Sequence, residues 1–227
     1  MEKELFGLQE LLSTKMVSAV AELATDENRQ LVGDEAIALL DSPDELIRSD
    51  AVELLGALGY VPAVEAVGSL LRNDPSAIVR ASAAETLGDI GDPSGIEALK
   101  LAFNDPDDAV KSYAFNSFGL LADPGDRSIL DGHLHPEMPE GMRANILGAQ
   151  WRLGMSEACT QFLNLMKSTR PDYVPNVVNV LEDLVDRKNP EGIAENASSF
   201  CQALQEMDLS LHGSVRRLIE KLNKLRD

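Results

Sequence analysis

Aromatic residues, cysteines and basic residues are all scarce in this 227-residue chain. Aromatic residues make up only 4% of the sequence although apolar residues make up 44%, so the core must be built mainly from Ala, Leu and Val. Small side chains of this kind pack well between helices that lie side by side, whereas sheet sandwiches usually draw on aromatic and β-branched residues. The composition therefore favours an all-helical fold.

The two cysteines, Cys159 and Cys201, provide no disulfide framework. This predicts a reducing environment, and we expect a cytoplasmic location. No apolar run approaches the roughly 18 residues that a membrane-spanning helix needs. The first residues also lack a run long enough for a signal peptide. We therefore expect no membrane contact.

Because basic residues are few, the chain has a large negative net charge. Thirty-eight acidic residues against twenty basic ones give a net charge of −18. Most of it lies in the first half, because residues 1–127 carry −15 and residues 128–227 carry −3. A field of this sign repels nucleic acid and anionic lipid and attracts basic proteins. We expect a protein partner with a basic surface and no nucleic acid, although solvated helix faces alone would give the same composition.

A repeat of 31–32 residues is the strongest pattern in the chain. The segments 43–59, 74–92 and 105–123 align, and this places Arg48, Arg80 and Lys111 at one shared position. Fainter copies lie near residues 16–24, 143–154 and 174–185, which gives about six repeats. Other shared positions hold small residues that would let neighbouring helices approach closely, namely Ala51, Ala83, Ala114, Gly56, Gly88 and Gly119.

Each repeat is predicted to be a pair of helices. An Asp-Pro step begins the first helix, since Asp can cap a helix and Pro is favoured in its first turn. Apolar residues then recur at spacings of three and four, as in residues 79–90. Gly59 and Gly91 suit a left-handed helix end, and a shorter second helix follows. One such pair cannot bury its own apolar face, so the repeats must stack into an α-solenoid.

Two segments depart from the repeat. Residues 124–141 contain three prolines and three glycines, which predicts a short helix near residues 127–130, an irregular loop and a bend. Residues 190–227 predict two longer helices, the first opened by Pro190 and the second spanning roughly residues 213–226. The second would cap the apolar flank of the last repeat. We expect one domain over residues 1–227.

The motif Asp-Pro-x-x-x-Val-Arg-x-x-Ala-x-x-x-Leu-Gly-x-Ile-Gly-Asp at residues 74–92 resembles the HEAT-like repeat first associated with phycobilisome lyases. The resemblance covers residues 34–166 well and the rest weakly. It implies an all-α, right-handed α-solenoid whose Val-Arg helices line a concave face. It also implies that the recurring basic residues pair with acids of adjacent repeats, a structural role for Arg48, Arg80, Lys111 and Arg143. Members include bilin lyase subunits, adaptors, hydroxylases and DNA glycosylases, so function stays open.

Catalytic motifs are scarce as well. The hydroxylases of this superfamily carry repeated His-Glu dipeptides as metal ligands, and none occurs here. The loop of residues 131–137 offers His133 and His135, but no other metal motif supports them, and a solvated loop is the favoured interpretation. There is no nucleophile elbow and no Gly-rich phosphate loop. We expect no enzymatic activity, no metal and no cofactor.

In the absence of catalytic motifs, the remaining candidate for function is a binding surface. With the motif helices in register, one stripe of positions is not committed to the core and should face the groove. The stripe is acidic at its start, which is the wrong sign for a DNA-binding member of the superfamily. Tyr113 is the expected anchor because tyrosine offers a large contact area at low entropy cost, unless it covers a neighbouring repeat. The predicted partner-binding residues are Asp50, Glu53, Ser82, Glu85, Asp89, Tyr113, Asn116, Asn145 and Arg152.

The same register places other residues of interest. The stripe ends in Gly148, Val177 and Val180, so its last part is apolar. Trp151 stands where earlier repeats have glycine, and we interpret it as a core residue.

The sequence thus predicts a non-enzymatic protein-binding scaffold or adaptor. Its acidity is typical of an immunity-type inhibitor that covers a basic toxin or nuclease. An alternative, from the resemblance alone, is a bilin lyase subunit or tetrapyrrole chaperone. A third, weaker hypothesis is a metal-dependent enzyme at the histidine loop.

Overall fold

The computed structural model describes residue 8 and residues 17–168, 174–187, 190–206 and 213–226. This part of the chain contains α-helices and short 3-10 turns and no strand, so the predicted all-α fold is confirmed. The α-helices are, in order, α1 Val17–Leu23, α2 Arg29–Leu39, α3 Glu45–Ala57, α4 Val64–Asn73, α5 Ala77–Ile90, α6 Ile96–Ala102, α7 Asp108–Leu121, α8 Glu140–Arg152, α9 Ser156–Ser168, α10 Val174–Asp186, α11 Ile193–Glu206 and α12 Gly213–Arg226.

The helices belong to two compact units, unit 1 (Met1–Leu121) and unit 2 (Ala122–Asp227). In unit 1 the motif helices α1, α3, α5 and α7 alternate with the second helices α2, α4 and α6. In unit 2, α8 packs against both α9 and α10, and α11 pairs with α12. The segment after α7 is a 3-10 turn, Pro124–Leu130, followed by a non-helical stretch, as predicted. The order of elements matches the six predicted repeats, while the single domain and the bend remain predictions.

Paired arginine and aspartate side chains join successive repeats of unit 1. The Arg48 guanidinium donates from Nε and Nη2 to the two carboxylate oxygens of Asp74, both at 2.8 Å. One repeat later Arg80 donates in the same way to Asp105, at 2.8 and 2.9 Å. The third nitrogen of each arginine donates to a backbone carbonyl, of Ser42 and of Asp74 respectively. We call each such arrangement a clamp; it fastens a motif helix to the turn that begins the next repeat.

The clamps confirm the predicted structural role for Arg48 and Arg80 but not for Lys111. Lys111 pairs with Asp108 of its own helix at 2.6 Å. A lysine ammonium lacks the planar fork that binds a carboxylate through two parallel hydrogen bonds. For Arg143 no ion pair is recorded with any residue that the structure describes.

The clamps also change the expected role of the Asp-Pro aspartates. In the first of the three clear repeats the order is reversed, and Asp44, which follows Pro43, caps α3 by accepting a hydrogen bond from the Leu46 amide. Asp74, however, lies two residues before the N-cap of α5, Ser76, and its carboxylate accepts from the Ser76 amide as well as from Arg48. Asp74 therefore holds the turn and the preceding repeat together, and the expectation that it caps the helix is wrong.

Small residues set the distance between the motif helices, as predicted. Ala51, Ala83 and Ala114 have no exposed surface. A Cβ atom added to Gly88 would lie 2.6 Å from the Ser117 hydroxyl oxygen, so α5 and α7 approach each other through this glycine. The predicted left-handed helix end is present at Gly91, whose φ is +79°.

Unit 2 has a core of its own, which includes Trp151. Trp151 is 2% exposed, its indole stacks on Phe200 with ring centroids 5.7 Å apart, and its Nε1 donates to the Glu191 carbonyl at 2.8 Å. Its predicted core position is thus confirmed. Helix α12 contributes Val215, Leu218 and Leu222 to the same core, as expected of a capping helix.

Removing one half of a clamp should destabilise the protein far more than removing an exposed ion pair. The side chains of Arg80 and Asp105 are 12% and 9% exposed, so Arg80→Ala leaves a carboxylate without its partner in a mostly buried place. We expect a loss of about 3 kcal/mol in the free energy of unfolding, measured by urea denaturation. The control is Arg72→Ala, because Arg72 pairs with a Glu65 side chain that is 92% exposed; it should cost less than about 1 kcal/mol. Equal losses would contradict the clamp.

The clamps should also make stability fall in acid. Burial alone would raise the pKa of Asp105, but the hydrogen bonds from Arg80 and from the Asp107 amide outweigh it and hold the pKa below its usual value. A carboxylate whose folded-state pKa is depressed adds stability above its unfolded pKa of about 3.9, and this is lost as the pH falls through the folded value. Asp105→Asn should therefore differ from the wild type more at pH 6 than at pH 3 in urea denaturation. Asp108→Asn, at a carboxylate that is 62% exposed, is the control and should keep the wild-type slope.

Candidate protein-binding face

Three neighbouring motif helices of unit 1 carry most of the predicted site. Asp50 and Glu53 lie on α3, whereas α7 carries Tyr113 and Asn116. Between these two helices, α5 carries Ser82, Glu85 and Asp89. Within each helix these residues are three or four positions apart and so lie on one side. We call this set the acidic face: Asp50, Glu53, Ser82, Glu85, Asp89, Tyr113 and Asn116.

The burial pattern of these helices separates the acidic face from the core. Glu53, Glu85, Asp89 and Tyr113 are exposed, and the other three residues are partly buried. Their chain neighbours are buried, as the pairs Ala51–Val52, Ala83–Ala84 and Ala114–Phe115 show. Tyr113 is 38% exposed, which leaves part of its ring available to a partner. The structure thus brings seven of the nine predicted residues together, while their partner-binding role stays a prediction.

A hydrogen-bonded chain connects two helices across the acidic face. The hydroxyls of Ser49 and Ser82 lie 2.9 Å apart, and the Ser82 hydroxyl lies 3.4 Å from Glu53 Oε1. Sequence reasoning missed Ser49, which is 4% exposed. The available signal was a serine two positions before the recurring Ala51, with a second serine 33 positions later in the next repeat. The chain orients the Glu53 carboxylate relative to α5.

The carboxylates of the acidic face create a negative electrostatic potential that acts on Glu53 and Tyr113. Partial burial raises the pKa of Glu53, and the nearby Asp50 carboxylate adds to the effect, although the hydrogen bond from Ser82 opposes it. The Glu85 carboxylate raises the pKa of Tyr113, with contributions from burial and from Glu53. The Tyr113 hydroxyl therefore lies within electrostatic range of carboxylates on both α3 and α5, and a cation at this place would be stabilised.

The two predicted residues of unit 2 differ from this pattern. Asn145 is partly buried on α8. The expectation of an exposed Arg152 is wrong, because its side chain has no exposed surface and its Nη2 donates to Asp183 at 2.7 Å. Asp183 stands in α10 at the position of the repeat glycine. A carboxylate at a core position needs a cation beside it, so Asp183 could have indicated that Arg152 is buried. The alignment of the repeats did not by itself reveal this pairing.

The apolar end of the predicted stripe is buried too. Val177 and Val180 are 0% and 7% exposed. A Cβ atom added to Gly148 would lie 3.2 Å from a methyl carbon of Val180, so α8 and α10 meet closely here. In unit 2 the stripe therefore belongs to the core.

Other candidate chemistry is limited in the described part of the chain. His135 is exposed and His133 partly buried, and within the described ranges no group of three or more His, Cys, Asp or Glu side chains is arranged to hold a metal ion. Cys159 and Cys201 are free and buried, and burial raises the pKa of the Cys159 thiol to about 11. Such a thiol is protonated at neutral pH and is a poor nucleophile. None of the described helices is long and apolar enough to cross a membrane.

Comparisons with known proteins agree with this architecture. Residues 33–119 match the family model for HEAT repeats. A solved complex of CpcE and CpcF of phycocyanin lyase from Nostoc sp. matches with a TM-score of 0.50 at 19% identity, over 85% of this chain and 94% of that chain. Together with the stacked helix pairs, these matches define an all-α solenoid. Residues 33–119 are therefore HEAT repeats, and the likeness to the lyase complex concerns the fold alone.

Two further solved structures are less similar. Human deoxyhypusine hydroxylase with glycerol has a TM-score of 0.44 at 18% identity, over 99% of this chain and 96% of that chain. An engineered protein has a TM-score of 0.38 at 16% identity, over 98% and 97%. No curated protein sequence matches the chain. At these identities the likeness concerns the fold alone.

The electrostatic link between Glu85 and Tyr113 can be tested directly. Since the Glu85 charge raises the pKa of Tyr113, Glu85→Gln should lower it. The measurement is an NMR titration of the protein with 13C-labelled tyrosine, in which Tyr113→Phe assigns the signal among the three tyrosines. Glu97→Gln, on α6, is the control and should leave the titration unchanged. An identical Tyr113 titration in the Glu85→Gln variant would show that the two side chains are not close in solution.

Proposed function

We propose that this protein is a non-enzymatic scaffold or adaptor whose acidic face binds a protein partner with a basic surface. The supporting observation is the position of Tyr113. It is an exposed aromatic side chain on α7, an outer helix of the three, in the field of carboxylates from α5 and α3. Exposed tyrosines are frequent anchors of protein interfaces.

The mode of binding follows from these side chains. A lysine or arginine of the partner would lie over the Tyr113 ring and pair with Glu85 or Glu53. The surrounding carboxylates, Asp50 and Asp89, would raise the rate of association and make it sensitive to salt. Because the helices are held by the clamps, little ordering is needed on binding, which lowers its entropic cost.

The charge distribution suits a more specific role. Residues 1–127 carry a net charge of −15, and all seven residues of the acidic face lie among them. A surface of this kind would occlude the basic active site of a toxin or nuclease, so an immunity-type inhibitor is the finer form of the proposal. The free, buried cysteines agree with a reducing, cytoplasmic location. A bilin-handling subunit has only the likeness of fold in its favour.

Variants of the acidic face test the proposal. The wild-type chain serves as bait for capture of a partner, and the recovered partner is then titrated in purified form at rising salt. Tyr113→Ala should weaken binding about tenfold or more, and the Glu53→Gln, Glu85→Gln double variant should reduce the salt dependence. Glu97→Gln, at a side chain that is 82% exposed on α6, is the matched charge control and should bind as the wild type does. A partner that binds all of these variants equally, without response to salt, would refute the role of this face.

A further inference from the structure

Each motif helix of the acidic face also carries an apolar residue that faces solvent in its first turn. These residues are Leu46, Ile78 and Ala109, and each is the second residue of its helix, α3, α5 and α7 respectively. Leu46 is 53% exposed and Ile78 is 55% exposed, and Ala109 is exposed as well. We call this set the apolar row. Because the three residues occupy the same position in successive repeats, the row crosses three neighbouring helices.

The apolar row lies on the same side of the helices as the acidic face. On α3, Asp50 and Glu53 follow Leu46 by four and seven positions, and on α5, Glu85 follows Ile78 by seven. Positions spaced in this way lie on one side of a helix. At 1.5 Å per residue, Glu53 lies about 10 Å further along α3 than Leu46. The exposed side of these helices therefore changes from apolar to acidic over two turns.

The first two apolar side chains of the row are neighbours. The hydroxyl oxygens of Ser49 and Ser82 lie 2.9 Å apart, and one turn later Thr86 Oγ1 donates to the Val52 carbonyl at 3.1 Å. Helices α3 and α5 therefore run side by side in the same direction. The apolar residues of the two helices precede the serine contact by three and four positions, so they lie side by side one turn before it.

The charges around the apolar row determine which partner it suits. Arg48 and Arg80 follow the row by two positions, but each is mostly buried and is held in a clamp by its aspartate. Lys111 pairs with Asp108. All other charged residues of the three helices are acidic, so a partner at this place should contribute cations.

The direction of the helices decides where those cations would lie. Partial positive charge at the amino ends of α3, α5 and α7 disfavours a cation over the apolar row, whereas Glu53 and Glu85, two turns later, attract one. Apolar side chains of a partner would instead cover Leu46 and Ile78. A second copy of the chain fits this surface poorly, because residues 1–127 carry a net charge of −15 and two acidic faces would repel each other.

We infer that the partner meets this surface with a basic amphipathic segment, whose apolar side chains cover the apolar row while its lysines or arginines pair with the acidic face. The inference rests on the proposed function, because it uses the same carboxylates, and it adds the chemistry of the partner's segment. Covering Leu46 and Ile78, which are both about half exposed, adds affinity that does not depend on charge. The ion pairs, by contrast, set the salt dependence.

A labelled peptide tests the inference on the full chain. The probe is a fluorescein-labelled peptide of 14 residues in which pairs of leucines alternate with pairs of lysines, so that a helix of this peptide has one apolar and one basic side. Fluorescence anisotropy measures its affinity at rising salt, and saturable binding is expected. A peptide of the same composition, with its leucines on all sides of a helix, should bind about fivefold less tightly or weaker still.

Paired substitutions separate the apolar row from other exposed apolar residues. Leu46→Ser with Ile78→Ser should weaken binding about tenfold at every salt concentration and leave the salt dependence as in the wild type. The matched control is Leu31→Ser with Leu101→Ser, which removes two leucines that are 54% and 62% exposed on the second helices α2 and α6. This control should bind like the wild type. Leu46→Met with Ile78→Met keeps the surface apolar and should retain most of the affinity.

Equal affinity of the two serine variants, equal binding of the two peptides or absence of saturable binding would overturn the inference. Self-association of the wild type that Leu46→Ser with Ile78→Ser abolishes in sedimentation velocity would also overturn it, since a second copy would then cover the apolar row.

The Glu53→Gln, Glu85→Gln variant separates this inference from the proposed function. If that variant keeps the wild-type salt dependence, the proposed function fails and the inference fails with it. If its salt dependence falls but the Leu46→Ser, Ile78→Ser variant binds like the wild type, the inference alone fails.

Discussion

The clamp between an arginine of one motif helix and an aspartate of the next turn is the interaction on which unit 1 depends. It satisfies a carboxylate and a guanidinium in a mostly buried place, and it fixes the distance and the register between repeats at once. The small residues at the helix contacts are useful only because this register is held, since a shift would place Gly88 away from Ser117. Packing and polar contacts therefore specify the same arrangement.

That arrangement also creates the candidate binding surfaces. Each motif helix buries its alanine and leucine positions against two neighbouring helices, which leaves one side facing solvent. In α3, α5 and α7, which are in register, these solvent-facing sides form one continuous surface. Acidic side chains with no role in the core can then accumulate on one face, where burial and the Asp50 charge raise the pKa of Glu53 and the Glu85 charge raises the pKa of Tyr113. The apolar row arises from the same repetition, because the second residue of each of these helices lies on the solvent-facing side.

Unit 2 shows how the same repeat changes when its small residues are replaced. Trp151 fills the place of a glycine and recruits Phe200, which gives the core an aromatic stack that unit 1 lacks at this position. Asp183 occupies another glycine position and takes Arg152 out of solvent. Stripe positions that are surface in unit 1 are core in unit 2, so periodicity alone cannot separate binding residues from buried ones.

The sequence by itself determined the helix pairs, their number and order, the interruption after α7 and the capping helix α12, because apolar periodicity and Asp-Pro and Gly signals act locally. It also identified the acidic positions and Tyr113 of unit 1, where these residues outside the apolar stripe are exposed or partly buried. The family resemblance implied that Arg48 and Arg80 pair with acids of adjacent repeats. Only the tertiary structure decided which aspartates they reach, that Lys111 turns back to Asp108, that Arg152 is buried, and that Ser49 supports Glu53 through Ser82. The clamps, the burial of Arg152 and the Ser49–Ser82 contact depend on side chains that meet although they are 25 to 33 residues apart in the chain, and a one-dimensional pattern contains no such distances.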